Sequence, residues 1–478
     1  MRKSTALALE VSARDREPIF LALARSIIGE IERGRLKPGS PLPGTRSLAQ
    51  TLKLNRNTVD AAYHELTMQG WLAAEPSRGT FVAHDLPDVS SPDKKNNAAH
   101  KQIPVNSNKP LIALKFSDGA PDARLLPTTA FAQAFRRALN SANFTYGSSY
   151  SDPSGSRSLR ETLSSYLNVE RGLVATENDI MITRGSQMAL FLAAKAITMP
   201  GTKIAVERTG YPLAWSAFRA AGAEILGIPV DEGGLDVDAL EEHAKRDPWL
   251  KAVYLTPHHQ YPTTVTLGAA RRLRLFDIAR RYGLVIIEDD YDNEYRYDGR
   301  PVLPLIARTS KDQPVIYLGS LSKVLTPGIR VGYAVAPADI LQRMIRHREA
   351  IDRQGDLPLE LALSDLLADG TIKRHARKAR RIYHARRDFL AEQLQNVLGH
   401  DGQFTLPAGG LAIWFRLNHG LDAQQWAENA ARCGLSVLPG THFELDKSNA
   451  PAAFRLGFAS LTEAEIARAV QILARSKP

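Results

Sequence analysis

From Leu111 onward, short apolar runs alternate with amphipathic stretches, and that alternation leaves few folds open. "DIMIT" precedes "SQMALFLAAKAI", "KIAVE" precedes "YPLAWSAFRAAG", and "KAVYLT" precedes "AARRLRLFDIARRYG"; "LVIIEDD" and "VIYLG" follow. Strands in regular alternation with helices predict a parallel or mixed sheet covered on both faces. Ligands of such sheets collect at the carboxyl ends of the strands. From about Asp352, long helices give way to shorter strands around "GGLAIWFRL" and "AFRLGFAS", which predicts a smaller α/β subdomain.

The N-terminal residues follow a different pattern. In "PIFLALARSIIGEIERGRL", Phe20, Leu23, Ile27 and Ile31 form one apolar helical stripe, and Gly34 with "KPGSPLPG" ends it. "TRSLAQTL" predicts a second helix with Thr45 as its N-cap, and "RNTVDAAYHELTMQGWL" a third with Val59, Ala62, Tyr63 and Leu66 inward. Trp71, Leu72, Phe81 and Val82 then flank "AAEPSRGT", a hairpin with a basic tip at Arg78. Residues 84–111 are rich in Pro, Ser, Asn and Lys and lack periodicity, so they read as a flexible linker reaching up to ~3.3 Å per residue. The expected organisation is an α+β helix-turn-helix domain over 14–83, the linker, and a two-part α/β domain over 112–478.

A chain of 478 residues is long enough for about three units at ~150 residues each. With 44% hydrophobic and 23% charged residues and no apolar run long enough for a bilayer, it reads as a soluble chain without a membrane partner. The opening "MRKSTALALEVSARDRE" lacks the apolar core of a signal peptide, and the lone Cys433 excludes an intrachain disulfide and a cysteine zinc site. A cytoplasmic protein with no metal is the expectation. The net charge of +10 is compatible with a polyanionic partner. Between Arg14 and Ala83, ten Lys/Arg face seven Asp/Glu, whereas "KRHARKARRIYHARR" (373–387) holds eight Lys/Arg and no acid. That run reads as the solvated face of a long helix or, alternatively, as a phosphate-facing surface.

The chemistry gathers at strand ends. Val285, Ile286 and Ile287 run into Glu288, Asp289 and Asp290, which delivers a carboxylate to the ligand edge, and "VIYLG" followed by "SLSK" delivers Lys323 to the same edge. A lysine forms a Schiff base with an aldehyde, and a carboxylate keeps a pyridine nitrogen protonated; pyridoxal 5′-phosphate makes both demands. For its phosphate, Gly185, Ser186 and Gln187 stand between a strand end and a helix start, Arg330 offers a bidentate fork, and Ser320 or Ser322 a hydroxyl.

These motifs carry a resemblance. Residues 112–478 resemble a fold type I aminotransferase, with "GSLSKVLTPGIRVGY" as the cofactor-lysine motif. Residues 18–83 resemble the winged helix-turn-helix of the GntR family through "LPGTRSLAQTLKLNRNTVDAAYHEL" and the wing "GTFV". In this order the two resemble the MocR-like regulators.

The resemblance implies that Lys323 forms the internal aldimine, Asp289 pairs the pyridine nitrogen with Asp290 as the alternative, Tyr291 donates to the ring hydroxyl, Tyr211 stacks on the ring, and Arg455 binds an effector carboxylate. Arg46, Arg56, Asn57 and Thr58 are the expected base and phosphate contacts, with Asn57 or Thr58 also capping its helix, and Arg78 and Gly79 the wing contacts. Two residues depart from the pattern: Tyr261 stands where aminotransferases commonly carry asparagine, and Thr264 where the family often has glycine. The expected function is a pyridoxal-phosphate-dependent regulator, a head-to-tail homodimer on double-stranded promoter DNA. It would sense the cofactor or an amino compound, such as γ-aminobutyrate or taurine, as an external aldimine. The alternative is a working aminotransferase with an appended DNA-binding domain.

Overall fold

Leu23, Ile27 and Ile31 are buried along one face of helix α1 (Ile19–Glu32), and they meet Val59, Ala62, Tyr63 and Leu66 from α3 (Arg56–Met68). Helix α2 (Thr45–Leu52) adds Leu48 and Ala49 to this core, and a two-stranded antiparallel wing, β1 (Leu72–Glu75) and β2 (Gly79–Val82), closes it with Leu72 and Val82. The computed structural model describes residues 18–75, 78–86, 113–146, 150–299, 302–308 and 314–478. Two units divide the chain, residues 1–106 and 107–478. Residue 14 and, apart from 84–86, the expected linker lie outside the described residues.

Two capping expectations are corrected. Gly44, not Thr45, is the N-cap of α2, and Asn55, rather than Asn57 or Thr58, caps α3 by accepting the Asn57 amide at 2.9 Å. The cap thereby leaves the Asn57 side chain to solvent at the first turn.

The second unit is built on a mixed seven-stranded sheet. Its strands are β3 (Ile180–Thr183), β4 (Lys203–Glu207), β5 (Glu224–Ile228), β6 (Leu250–Leu255), β7 (Val285–Asp290), β8 (Val315–Ser320) and β9 (Gly332–Val335), in the order β3-β9-β8-β7-β6-β4-β5. Strand β9 runs antiparallel to both neighbours; β4 to β8 are mutually parallel. Helices α4 (Arg157–Arg171), α5 (Ser186–Ile197), α6 (Pro212–Ala220) and α7 (Ala269–Tyr282) supply apolar residues to cores on the two faces. Ile287 belongs to the core under α5 and α6, while Ile286 packs with Leu275 and Ile278 of α7. Successive residues of β7 thus point to opposite faces.

The long helix α8 (Thr371–Leu398) leads to the smaller subdomain, a sheet of β10 (Gly402–Gln403), β11 (Ala412–Leu417), β12 (Leu438–Pro439) and β13 (Ala453–Gly457) ordered β10-β11-β13-β12. Cys433 is exposed there. Among the described residues no helix is long and apolar enough to cross a membrane.

Replacing the cap by Asn55→Ala is expected to cost about 1 kcal/mol of N-terminal-unit stability. Calorimetry of the full chain reads this as a lower transition temperature for that unit; an unchanged transition would remove the capping role.

Candidate cofactor and effector site

The end of β7 delivers three acids with three different fates. Glu288 accepts the backbone amides of Leu305 and Ile306 at 2.8 and 3.1 Å. Asp290, on the same face, accepts from Arg171 Nη1 at 2.7 Å, from the Tyr317 hydroxyl at 2.6 Å and from Asn293 Nδ2 at 2.9 Å. Asp289 points the other way. Its Oδ2 accepts the Tyr254 hydroxyl at 3.0 Å, and its Oδ1 is buried with no partner. Burial pushes Asp289 up to about 7 and Glu288 up to about 8. Asp290 is equally buried, yet His258 and Arg171 hold it below the usual carboxylate range.

Lys323 follows β8 and reaches the cavity that Asp289 lines, together with Asp118, Ser186, Tyr211 and Tyr291. Its Nζ donates to the carbonyls of Asp118 and Gly119 at 3.1 and 3.0 Å, and burial holds the amine below the ordinary lysine range. A depressed amine pKa makes more free nucleophile available at neutral pH. Asp290 does not line this cavity, so of the acids that end β7 it is Asp289 that faces Lys323.

The start of α5 supplies an anion cradle. Gly185, at φ +77°, turns the chain from β3 into the helix; a Cβ there would lie 3.0 Å from the Arg330 guanidinium. Arg330 donates to the Arg184 carbonyl at 3.0 Å and thus stands beside the unpaired amides of the first turn. Gly332 on β9 passes so close that a Cβ would meet the Gly185 carbonyl carbon at 2.6 Å and the Ser186 nitrogen at 2.7 Å. Ser320 and Ser322 are buried but stand outside the cavity lining, with Ser322 Oγ 3.5 Å from the Val331 carbonyl. Gln187 Nε2 donates to the Leu213 carbonyl at 2.7 Å, tying α5 to α6.

Aromatic rings wall the opposite side. Tyr211 meets Tyr261 edge-on at 4.9 Å, and Tyr291 donates its hydroxyl to the His259 carbonyl at 3.1 Å. Thr264 sits at φ +68°, a left-handed conformation that costs a β-branched residue about 1 kcal/mol or more and explains why glycine is common there. Arg455 on β13 is only 1% exposed; its Nε donates to Asp118 Oδ1 at 3.1 Å and its Nη1 to the Pro262 carbonyl at 2.9 Å. The guanidinium also lies 4.5 Å over the Tyr261 ring. An internal carboxylate already engages the arginine expected to take an effector's. Asp118 and Tyr254 were not anticipated: the Asp-Gly pair in "FSDGAP" signals only a turn, and a tyrosine inside "KAVYLT" signals only core.

In the N-terminal unit, Arg46, Arg56 and Asn57 are exposed and Thr58 is half-buried at the first turns of α2 and α3. Arg56 lies 3.6 Å from Asp60, and Arg78, at the wing beside Gly79 (φ +113°), pairs with Glu75 at 2.5 Å. The basic run 373–387 on α8 is not one solvated face. Arg386 is buried against Asp122 at 2.9 Å, and Arg387 is buried against Asp298.

A buried amine, an orphaned carboxylate oxygen across the same cavity and an anion cradle at a helix start fit an aromatic aldehyde that carries a ring nitrogen and a phosphate. Comparison with known proteins agrees. Residues 112–473 match the aminotransferase class I and II family, and residues 21–82 match the bacterial regulatory proteins of the gntR family. The chain is 31% identical to the HTH-type pyridoxine biosynthesis transcriptional regulator PdxR of Corynebacterium glutamicum, over 81% of this chain and 82% of that one. It is 30% identical to the probable rhizopine catabolism regulatory protein MocR of Rhizobium meliloti, over 77% and 76% of the two chains. Its second unit is similar to LysN, the α-aminoadipate aminotransferase of Thermus thermophilus, solved with N-(5′-phosphopyridoxyl)-L-leucine: TM-score 0.69, 30% identity, 76% of this chain and 91% of that one. Fold type I aminotransferase domains depend on pyridoxal 5′-phosphate, and the residues present fit that group.

Asp289 carries a pH signature. Its carboxyl ionises near pH ~4 in the unfolded chain and near 7 in the folded one, so the folded state holds the extra proton in between. The stability this contributes is fully present below about pH 4 and is lost as pH rises through about 7. Melting curves of the cofactor-free protein should therefore show a smaller decline over that window in Asp289→Asn than in the parent; identical slopes would refute the buried-acid assignment.

Proposed function

Because this chain belongs to the aminotransferase class I and II family and carries a gntR-family module ahead of that domain, the combination found in MocR-like regulators, we propose that it is a pyridoxal-phosphate-dependent transcription regulator. It acts in the cytoplasm on promoter DNA, as a head-to-tail homodimer, and its second unit responds to the cofactor or to an amino compound. The observation that carries this reading is the unpartnered Asp289 Oδ1 facing the same cavity as Lys323 Nζ, in a chain whose other unit opens its third helix with exposed Arg56 and Asn57.

When bound, the cofactor supplies an aldehyde that condenses with amines and a ring that takes up electrons. The residues have distinct tasks around it. Lys323 would offer the buried amine, Asp289 Oδ1 would hold a proton on the ring nitrogen, and Tyr254 fixes Asp289 from its other oxygen. Ser186 and Arg330 would hold its phosphate, Tyr211 would bound its ring, and Tyr291, whose hydroxyl donates to the His259 carbonyl, would supply a hydroxyl to the ring oxygen. Gln187 positions α5 against α6 through Leu213, and Ser320 and Ser322 would support the turn that carries Lys323. Arg46, Arg56, Asn57, Thr58, Arg78 and Gly79 meet phosphates and base edges. An effector bound beside Lys323 would shift the arrangement of the DNA-reading units only by its differential affinity for the two arrangements.

The second reading is a working transaminase, favoured by the complete set of lysine, aspartate and arginine. Visible absorption of the cofactor-loaded protein, titrated with amino compounds with and without keto acids, separates the two. A band that one compound shifts and holds supports the regulator; repeated loss and recovery with amine donor and keto acid would make the protein an enzyme first.

Asp118 sets the selectivity of that titration. As long as its carboxylate neutralises Arg455, an α-carboxylate on the effector competes with it. In Asp118→Asn, amino acids should bind about tenfold tighter, a difference of ~1.4 kcal/mol, while amines without a carboxylate keep their affinity. Equal gains for both classes would show that Asp118 does not guard Arg455.

A further inference from the structure

On the other face of β7, away from Lys323, a second cavity of about 230 Å³ opens between α4, the segment after β7 and the first turns of α8. Its walls carry Arg171, Arg296, Lys373, Arg377 and Arg380, against two acids, Glu170 and Glu294. Arg171 is committed to Asp290 and Glu294, and Lys373 pairs with Glu170. The other three are not spent. Arg296 has two nitrogens, Nε and Nη1, that are buried without a hydrogen-bond partner, and no ion pair holds Arg377 or Arg380 among the described residues.

Burying guanidinium N–H groups unpaired is costly, and a native fold keeps such groups where something else satisfies them. Residues 373, 377 and 380 recur at four- and three-residue steps, so one face of α8 turns its charge toward Arg296. The cavity floor is His258 and His259, both almost fully buried. His258 Nδ1 stands 3.4 Å from Asp290 Oδ1, and His259 Nδ1 2.7 Å from Asp292 Oδ1.

The geometry points to a second ligand site, in which Arg296, Arg377 and Arg380 converge on a compact anion bearing phosphate groups. The shared chemistry is a phosphate met by guanidinium forks. A small ligand fits better than a duplex backbone: the orphan Arg296 nitrogens are inside the protein, and the two acids on the walls oppose an extended polyanion. The site is separate from the cradle of Ser186 and Arg330. Its floor residues contact Asp290, Asp292 and the Tyr291 hydroxyl, so occupancy bears on the strand end next to Asp289.

The test is calorimetric titration of the cofactor-loaded full chain with inorganic pyrophosphate at moderate ionic strength, alongside Arg377→Gln/Arg380→Gln and Arg330→Gln. The double variant alters exposed positions of α8, and its cofactor absorption reports an intact fold. Saturable binding that weakens at least tenfold in the double variant and survives in Arg330→Gln supports the site. Absence of saturable binding to the parent, or equal binding by the double variant, overturns it. So does loss in Arg330→Gln alone, which assigns the anion to the cofactor cradle. An oligonucleotide arm completes the design: if the double variant flattens the salt dependence of DNA binding but leaves pyrophosphate binding intact, these cations serve the nucleic-acid backbone and the proposal fails.

Discussion

Glu288, Asp289 and Asp290 end strand β7 inside the protein, where an ionised carboxylate with no partner is too costly to keep. The surroundings of the second unit can be read as the answer to that demand. Two backbone amides meet Glu288, and an arginine, a tyrosine and an asparagine meet Asp290. Asp289 receives one hydroxyl and is otherwise left facing the cavity. A half-satisfied acid held near neutrality is poorly placed for stability and well placed to meet a protonated ring nitrogen. The pleat of β7 enforces this division, because a one-residue shift in register would exchange the faces of all three acids.

The same logic of incomplete satisfaction distinguishes Arg455. It is almost fully buried, yet its partner, Asp118, comes from a turn rather than from the packed sheet. Burial alone would raise the Asp118 carboxyl, but Arg455 and Lys323 hold it below its ordinary range, so the pair is ionised. Asp118 lines the cavity while Arg455 stands behind it, so a carboxylate that reached Arg455 would have to replace a bond already made. Thr264 adds a backbone held in a left-handed conformation two residues from the Pro262 carbonyl that anchors Arg455.

Much of this arrangement was legible in the residues. The strands ending at Thr183, Glu207, Asp290 and Ser320, and the helices after the first two, follow from apolar runs and helical periodicity, and the helix-turn-helix core from Val59, Ala62, Tyr63 and Leu66. Strands β5 and β9 were not singled out. "EILGI" and "GYAV" are short and carry glycine, and their strand character comes from pairing with neighbours rather than from their own pattern. Lys323, Asp289 and Arg330 were readable because each stands at an element end where polar residues interrupt an apolar pattern. Asp118 was not, since its role exists only through a residue 337 positions away. Nor could spacing tell that Arg386 and Arg387 turn inward while Arg377 and Arg380 stay free, because acids remote in sequence make that difference.

The separation of Asp118 from Arg455 also fixes an order of events during synthesis. The core of the N-terminal unit draws on residues that have all been made by Val82, whereas the pocket waits for β13, close to the end of the chain. Domains generally fold as units, the earlier ones first, as the chain emerges. A polypeptide interrupted between Val82 and Arg455 would thus carry α3 with its cap and the wing, but not the Asp118–Arg455 contact. The two units are thus completed at widely separated times during synthesis.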